Sequence, residues 1–561
     1  MKKRNINQFV ILLCGIVFAG LVSSKYFFRI DLTAEKRYTL SPETVRVLQG
    51  LDATLYAHIY LDGDLPVQFR KLRNTIREML DDFKAYSGNR IVYRFFNPAD
   101  AESAAEREKL YENLAENGIR PITVLKTNKD GSQTQQIIFP GAIFSYKNRQ
   151  LPVNLLKNMF MLPSEMTMNA SLEALEYELV KTINSLSADS IGSVAFTTGH
   201  GEPGKAELYD LGNELANYYD VKFQPINGQL DALDSYRAVI IVKPSEAFDE
   251  RDKFVIDRYI MRGGRVMWLI NGASVNTDTL FSKGMTIALT TELNLEDQLF
   301  IYGARINPVV IQDIISNTIA ITVAEGTSQP ALAQWLYYPL AKPSPNHVMT
   351  KNINPVWLRY ASEIDTVGRN SDIRKSVLLQ TSEMSRTKGL PFMISLNEVQ
   401  RMPEQQQLNK PHRIAAVLLE GEFTSAFRNR NVQNMFPELH EKQAEKSVET
   451  KMLIVADGNI AINDTRNTPG GLAPSYPLGF DRFTRETFAN REFLVNAVNY
   501  LTDDDGIMNL RGREFKMRLL DRQKVANERV KWQIINIVLP MLLLLGGGFA
   551  YNRWRRYRFG F

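Results

Sequence analysis

Apolar and polar positions alternate in two rhythms along this chain. Positions 54–61 form an apolar extended run, 66–86 repeat apolar residues at helical spacing, and 91–97 return to an extended run. A charged helix over 101–117, a strand at 122–126 and a hairpin turning at Asp130-Gly131 complete the order β-α-β-α-β-β. Ahead of them, Ser41-Pro42-Glu43 has the features of a helix start: a hydroxyl cap, proline in the first turn and an acid near the positive end of a short helix to about Gln49. A helical stretch with Leu172, Leu175, Leu179, Val180 and Ile183 leads into a second unit. There, strands at 193–197, 221–225, 238–243 and 265–270 alternate with helices at about 206–219 and 249–261, which predicts a parallel sheet with right-handed crossovers. Strands at 309–311, 377–379, 414–419 and 452–455 and a helix at about 491–501 predict that this domain resumes after insertions. The polar stretch 441–449 is expected as a loop or frayed helix.

Both ends carry long apolar runs. Twenty uncharged residues from Asn5 to Ser24 follow the basic start Lys2-Lys3-Arg4, and 21 from Trp532 to Asn552 precede Arg553, Arg555, Arg556 and Arg558. Each predicts a membrane helix, with Pro540 as a kink point and Trp532, Tyr551 and Trp554 at the interfaces. The first run is alternatively a cleaved signal ending near Val22-Ser23-Ser24; a lipoprotein signal fits less well, because Cys14 follows Leu13 inside the apolar run. Two spans with a basic start put both termini in the cytoplasm and the body in the periplasm. Against this, Arg513, Lys516, Arg518, Arg522, Lys524, Arg529 and Lys531 place more positive charge before the second span than after it; that stretch also suits anionic headgroups or a membrane partner.

Composition narrows the chemistry. Of 561 residues, 44% are hydrophobic and 23% charged, which excludes disordered and collagen-like classes and predicts several domains. With Lys+Arg at 67, Asp+Glu at 62 and a net charge of +5, no nucleic-acid track is expected. The single cysteine, Cys14, excludes an intrachain disulfide, a Cys-x-x-Cys pair and thiolate metal clusters.

The sharpest local pattern is Thr198-Gly199-His200-Gly201-Glu202-Pro203-Gly204-Lys205-Ala206, expected to follow a strand and open a helix. Its Gly-x-x-x-x-Gly-Lys spacing is that of a phosphate-cradling loop, but alanine at 206 lacks the hydroxyl that holds magnesium, and Glu202 puts negative charge where phosphate would sit. A tight turn without ligand is the plainer reading; the alternative makes Thr198, Gly199, His200, Gly201 and Glu202 a ligand-binding site for a small anion, peptide or glycan. His58, His347, His412 and His440 are isolated in sequence, so no zinc site is expected, and no Gly-x-Ser-x-Gly elbow occurs.

Two resemblances extend this reading. The first element order resembles a thioredoxin-like domain, with Gly118-Ile119-Arg120-Pro121-Ile122 similar to the segment that carries a cis-proline, while Asp62-Gly63-Asp64-Leu65 stands where the two cysteines would be. The whole chain resembles the GldG family of Bacteroidetes, accessory membrane subunits of a gliding-motility-associated ABC transporter. The residues that carry the likeness are Asp31-Leu32-Thr33, Arg37-Tyr38-Thr39-Leu40-Ser41, the 198–202 turn, Gly421-Glu422-Phe423, Ser425-Ala426-Phe427, Pro477-Leu478-Gly479-Phe480-Asp481, Asn490-Arg491-Glu492-Phe493, Asn496-Ala497-Val498-Asn499-Tyr500 and the final span.

That resemblance implies an α/β protein in which two terminal transmembrane helices flank a thioredoxin-like domain and a larger parallel-sheet domain, flavodoxin-like and similar to class I glutamine amidotransferases, with insertions. The expected boundaries are 1–30 for the first anchor, 31–170 and 171–510 for the two domains, 511–531 for a basic juxtamembrane helix, 532–552 for the second span and 553–561 for a cytoplasmic tail. It also implies a non-enzymatic subunit without cofactor or metal. Its partners would be an ABC permease subunit, a cytoplasmic ATPase and the membrane; transporter symmetry in general adds an expectation of two copies per complex, and the charge balance one of no nucleic acid. The alternatives are an anchored solute- or glycan-binding receptor of a general exporter, and an anchored enzyme.

Overall fold

The computed structural model describes residues 14–15, 39–127, 133–160, 163–188, 191–321, 331–368, 372–400, 402–434, 436–437, 439, 444–469, 471–513 and 522–560. The turn at Asp130-Gly131, His440, part of 441–449 and all of the expected first span except residues 14–15 lie outside them. The chain divides into two units, Met1–Arg513 and Glu514–Phe561.

In the first unit Ser41 caps α1 (Pro42–Gln49) by accepting from the Thr44 amide, with Pro42 in the first turn. Then come β1 (Leu55–Ile59), α2 (Val67–Tyr86), β2 (Ile91–Phe95), α3 (Ala104–Glu116), β3 (Ile122–Thr127), β4 (Gln133–Ile138), β5 (Gly141–Tyr146), β6 (Arg149–Asn154) and α4 (Ser164–Ser187). The sheet order is β2-β1-β5-β6. β1 is parallel to β2 and antiparallel to β5, which is antiparallel to β6. This corrects the sequence reading, which made the strand at 122–126 the third of the set. That strand pairs with β4 in a separate two-stranded hairpin. Composition gives the reason: β5 buries Ala142, Phe144 and Tyr146 against the core, whereas Leu125 and Ile137 of the hairpin stay exposed. The Arg120–Pro121 bond is trans, because Leu390–Pro391 is the cis peptide among the described residues.

The helix α4 crosses position 170 unbroken and serves both sheets. Its Leu175, Leu179, Val180 and Ile183 share one buried cluster with Leu55 and Phe144 of the first sheet and Ile240 of the second.

The second sheet starts with β7 (Ser193–Thr198), α5 (Tyr209–Ala216), β8 (Asp220–Pro225), β9 (Ala238–Val242), α6 (Glu250–Met261) and β10 (Val266–Leu269). A long segment follows, with β11 (Ala273–Val275), α7 (Thr277–Lys283), β12 (Met285–Thr290), α8 (Glu296–Tyr302), β13 (Ala304–Ile306), β14 (Val309–Asp313), β15 (Ser316–Ile321), β16 (Ala331–Pro343), β17 (Val356–Trp357), β18 (Ile364–Thr366), β19 (Ile373–Gln380), β20 (Ser385–Gly389) and β21 (Phe392–Ser395). The chain then resumes with β22 (Ile414–Gly421), β23 (Thr450–Val455) and α9 (Asn490–Leu501). The sheet has ten strands in the order β15-β16-β19-β22-β23-β10-β9-β7-β8, with β17 on β16. From β23 to β8 all neighbours are parallel; from β22 to β15 they are antiparallel. The sheet is therefore mixed, where the sequence reading expected a parallel one.

The continuous apolar run of β9 shows why its strands are central. Ala238, Ile240 and Val242 face the cluster containing α4, α5 and α9, while Val239 and Ile241 face the one built on α6 and α8. A strand buried on both faces needs no polar alternation.

The second unit holds the 38-residue helix α10 (Arg522–Phe559), with Pro540 inside it. Within it, Glu528–Arg558 is long and apolar enough to cross a membrane.

Candidate functional site at the carboxyl edge of the central sheet

Within the parallel half of the sheet, chain order along β8-β7-β9-β10-β23 runs second, first, third, fourth, fifth. Direction reverses between β7 and β9, and the crevice outside the carboxyl ends of such a pair is where doubly wound sheets hold ligands. The 198–202 turn leaves β7 there, and 243–248 leaves β9 beside it.

The two loops fill that crevice with their own groups. The His200 carbonyl accepts from the Ser245 and Glu246 amides at 2.9 and 3.0 Å, and its ring stacks on Phe248 with centroids 3.7 Å apart. Nε2 lies 3.0 Å from Asp252 Oδ2 in α6, while Nδ1 lies 3.7 Å from Glu202 Oε1, an electrostatic contact beyond hydrogen-bond reach. Glu202 accepts from Thr197 Oγ1 at 2.9 Å and from the His200 amide at 2.7 Å. Asp252 accepts from the Gly228 amide at 2.5 Å. Burial alone would favour the neutral ring, but Asp252 and Glu202 outweigh it and raise the His200 pKa to about 9. Both carboxyls are held below their ordinary values: burial opposes this, and contact with His200 overrides it. At neutral pH the group is an imidazolium between two carboxylates, with no free nitrogen lone pair for base chemistry. The carboxylates flank opposite nitrogens, and among the described residues no three His, Cys, Asp or Glu side chains converge as metal ligands.

Glycine is required in this turn. Gly199 has φ +118° and Gly201 φ +72°, and a Cβ on Gly201 would lie 2.1 Å from Ser245 Oγ. Gly201→Ala is expected to cost about 1–3 kcal/mol in a denaturation midpoint, from left-handed strain plus the displaced serine.

The expected helix opening at 204–206 is corrected. α5 begins at Tyr209 without a side-chain cap, and the Gly204 amide is taken by Glu207 Oε2 at 2.9 Å. Lys205 Nζ sits 5.5 Å over the Phe223 ring. Pro203 and Gly204 disfavour an early start and no capping residue precedes them, so the phosphate-loop geometry does not form.

Sequence reasoning did not single out three polar groups at the same edge. Asp252 is remote in sequence from His200. Lys243, just past β9, has φ +42° and a pKa lowered by burial. Asp457, just past β23, accepts from the Arg359 and Asn459 amides at 2.6 and 2.8 Å, and burial raises its pKa to about 6. The legible signal for the last two is a polar residue one or two positions after an apolar run: Val242-Lys243 and Val455-Ala456-Asp457.

A second concavity, of about 380 Å3, separates β6 from α9. Its charges are largely engaged: Lys157 Nζ meets Glu178 at 2.8 Å and Glu492 at 2.7 Å, and Lys181 Nζ sits 3.9 Å over the Tyr218 ring. Burial would raise the Glu178 carboxyl, but Lys157, Lys181 and Arg511 hold it at about 2.

Residues 192–497 match the family described as an ABC-type uncharacterized transport system, and residues 34–145 match a domain of unknown function, DUF7088. An uncharacterized protein of Borreliella burgdorferi is 19% identical over 552 residues, 96% of each chain. A solved IFT52 N-terminal domain matches at 11% identity with a TM-score of 0.31, over 56% of this chain and 99% of its own length.

Proposed function

The chain belongs to the ABC-type uncharacterized transport system family, and from that premise we propose that it is a non-enzymatic, membrane-anchored accessory subunit of an ABC transporter, coupling the transporter to gliding motility and its associated secretion. The family match over most of the central sheet carries the reading; α10, apolar enough to span a bilayer, fits it. In this proposal a first span precedes α1, both termini are cytoplasmic, and the body lies in the periplasm beside a permease whose ATPase is on the other side. Two copies per complex follow from the symmetry of such transporters.

The sheet β2-β1-β5-β6 is read as a thioredoxin-like scaffold, with Pro140 before β5 in the place the sequence reading gave to Pro121. The parallel half of the second sheet is read as flavodoxin-like. In this reading His200 is a brace of the turn, charged and stacked on Phe248. A ligand role for Thr198, Gly199, His200, Gly201 and Glu202, the receptor alternative, would require opening the His200–Phe248 stack.

The test is gentle-detergent capture of the tagged full-length chain from its native membrane, with mass spectrometry of what accompanies it. A permease and an ATPase in fixed ratio are expected. Recovery of the chain alone defeats the proposal.

A further inference from the structure

The carboxyl end of β10 opens into a cavity of about 560 Å3, whose wall residue Leu293 accepts from the Phe248 amide at 3.0 Å. Ile270, Leu293, Leu295, Leu299, Phe300 and Ile306 give it apolar walls, and its size falls in the range of ligand sites. Phe300 and Ile301 on its wall are 54% and 38% exposed. The neighbouring strand β12 continues the apolar surface: Met285, Ile287 and Leu289 all point to solvent, Met393 faces Ile287 across the pairing with β21, and Thr290 lines the cavity.

Three polar groups of this cavity are unspent. Thr291 Oγ1 is buried with no hydrogen-bond partner. Arg305 and Glu296 are exposed, and neither has an ion-pair partner among the described residues. Asp297, also on the wall, differs: it is engaged by Lys253 and Arg430, both at 2.7 Å. An apolar chamber with one free cation, one free anion and one free hydroxyl complements an amphiphile whose head carries both charges.

We propose that this cavity binds a zwitterionic lipid of the phosphoethanolamine class, with its acyl chain among the Leu293, Leu295 and Leu299 side chains, its phosphate on Arg305 and its ammonium on Glu296. A fatty acid makes no contact with Glu296, and a purely anionic head is repelled by it. The inference does not depend on association with a transporter.

The test uses the full chain in phosphatidylglycerol nanodiscs, whose anionic heads are poor competitors, with a lysophosphatidylethanolamine carrying a photoactivatable acyl chain. Saturable labelling is expected within 270–308. Thr291→Trp, which fills the chamber, abolishes it; Arg305→Gln and Glu296→Gln at exposed positions each raise the half-saturating concentration about tenfold, the worth of one charge-assisted contact. Excess lysophosphatidylethanolamine displaces the probe and lysophosphatidylglycerol does so poorly. Labelling confined to α10, labelling that does not saturate, or labelling unchanged in the two exposed variants overturns the proposal. Because it is read on the isolated chain, its failure is separate from failure to recover a permease.

Discussion

Replacing His200 with alanine is expected to destabilise the body by about 3–5 kcal/mol, the range found when one member of a buried ion pair is removed. The change leaves Asp252 and Glu202 facing each other without the cation between them and empties the space stacked on Phe248. His200→Gln restores a donor toward Asp252 but no charge, so its cost should be intermediate. The pH dependence gives the same group a second signature. Its pKa is about 9 when folded against an ordinary 6.5, so its contribution is full below about pH 6.5 and is lost as pH rises through 9. A difference of that size corresponds to about 3 kcal/mol. Glu202 and Asp252, held low, contribute in the opposite sense: their share is present above the ordinary carboxyl range and is lost as pH falls below it. Denaturant midpoints of the full chain between pH 6 and 10 should fall on the alkaline side, and His200→Ala should flatten that fall. Equal slopes in both proteins would show that the network does not hold the turn.

This case also shows what the amino-acid order reveals. The parallel strands were legible because burial on both faces makes β9 and β10 continuous apolar runs and gives β7 and β23 the apolar cores Val194–Phe196 and Met452–Val455, with glycine or proline near their ends. The hairpin of β3 and β4 was read into the main sheet because a β-propensity run does not state its partner; β5 and β6 supplied the buried faces instead. The long strand β16 was missed for a related reason. It pairs with β15, β17 and β19 over different stretches, so its burial follows no single period. The 198–202 turn was found from its glycines, which mark real left-handed positions, but its chemistry depended on Asp252 and Phe248, brought in by α6 and the loop before it. Other recognised motifs have a comparable internal use. Ser425 and Ala426 donate to the buried Asp257 at 2.6 and 2.9 Å, and Asn490 brackets the Trp357 backbone at 2.9 and 2.8 Å. Polar residues at such positions brace loops, and their spacing alone does not separate that use from ligand binding.

The second large effect is expected at Glu176, a buried carboxylate on α4 that ties residues 41–44 to Arg513. Its Oε1 accepts from the Ser41 amide at 3.1 Å and from Thr44 Oγ1 at 2.7 Å, and its Oε2 meets Arg513 Nη1 at 2.5 Å. Arg513 also donates from Nη2 to the Thr39 carbonyl at 2.9 Å. Residues 39–44 and Arg513 are far apart in sequence, 474 positions between Thr39 and Arg513, so one side chain ties together two remote segments of the first unit. Glu176→Ala orphans a buried amide, a buried hydroxyl and a half-buried guanidinium at once, with an expected cost of about 3 kcal/mol. Glu176→Gln keeps an acceptor for Thr44 but removes the negative charge facing Arg513, and should cost about half as much. Because the loss is local, amide exchange over α1 and 507–512 should accelerate well before exchange in β9 and β10 does. If Glu176→Ala leaves exchange in α1 unchanged, α1 is held by packing of Leu48 and Leu51 in the core, and the carboxylate is not the fastening.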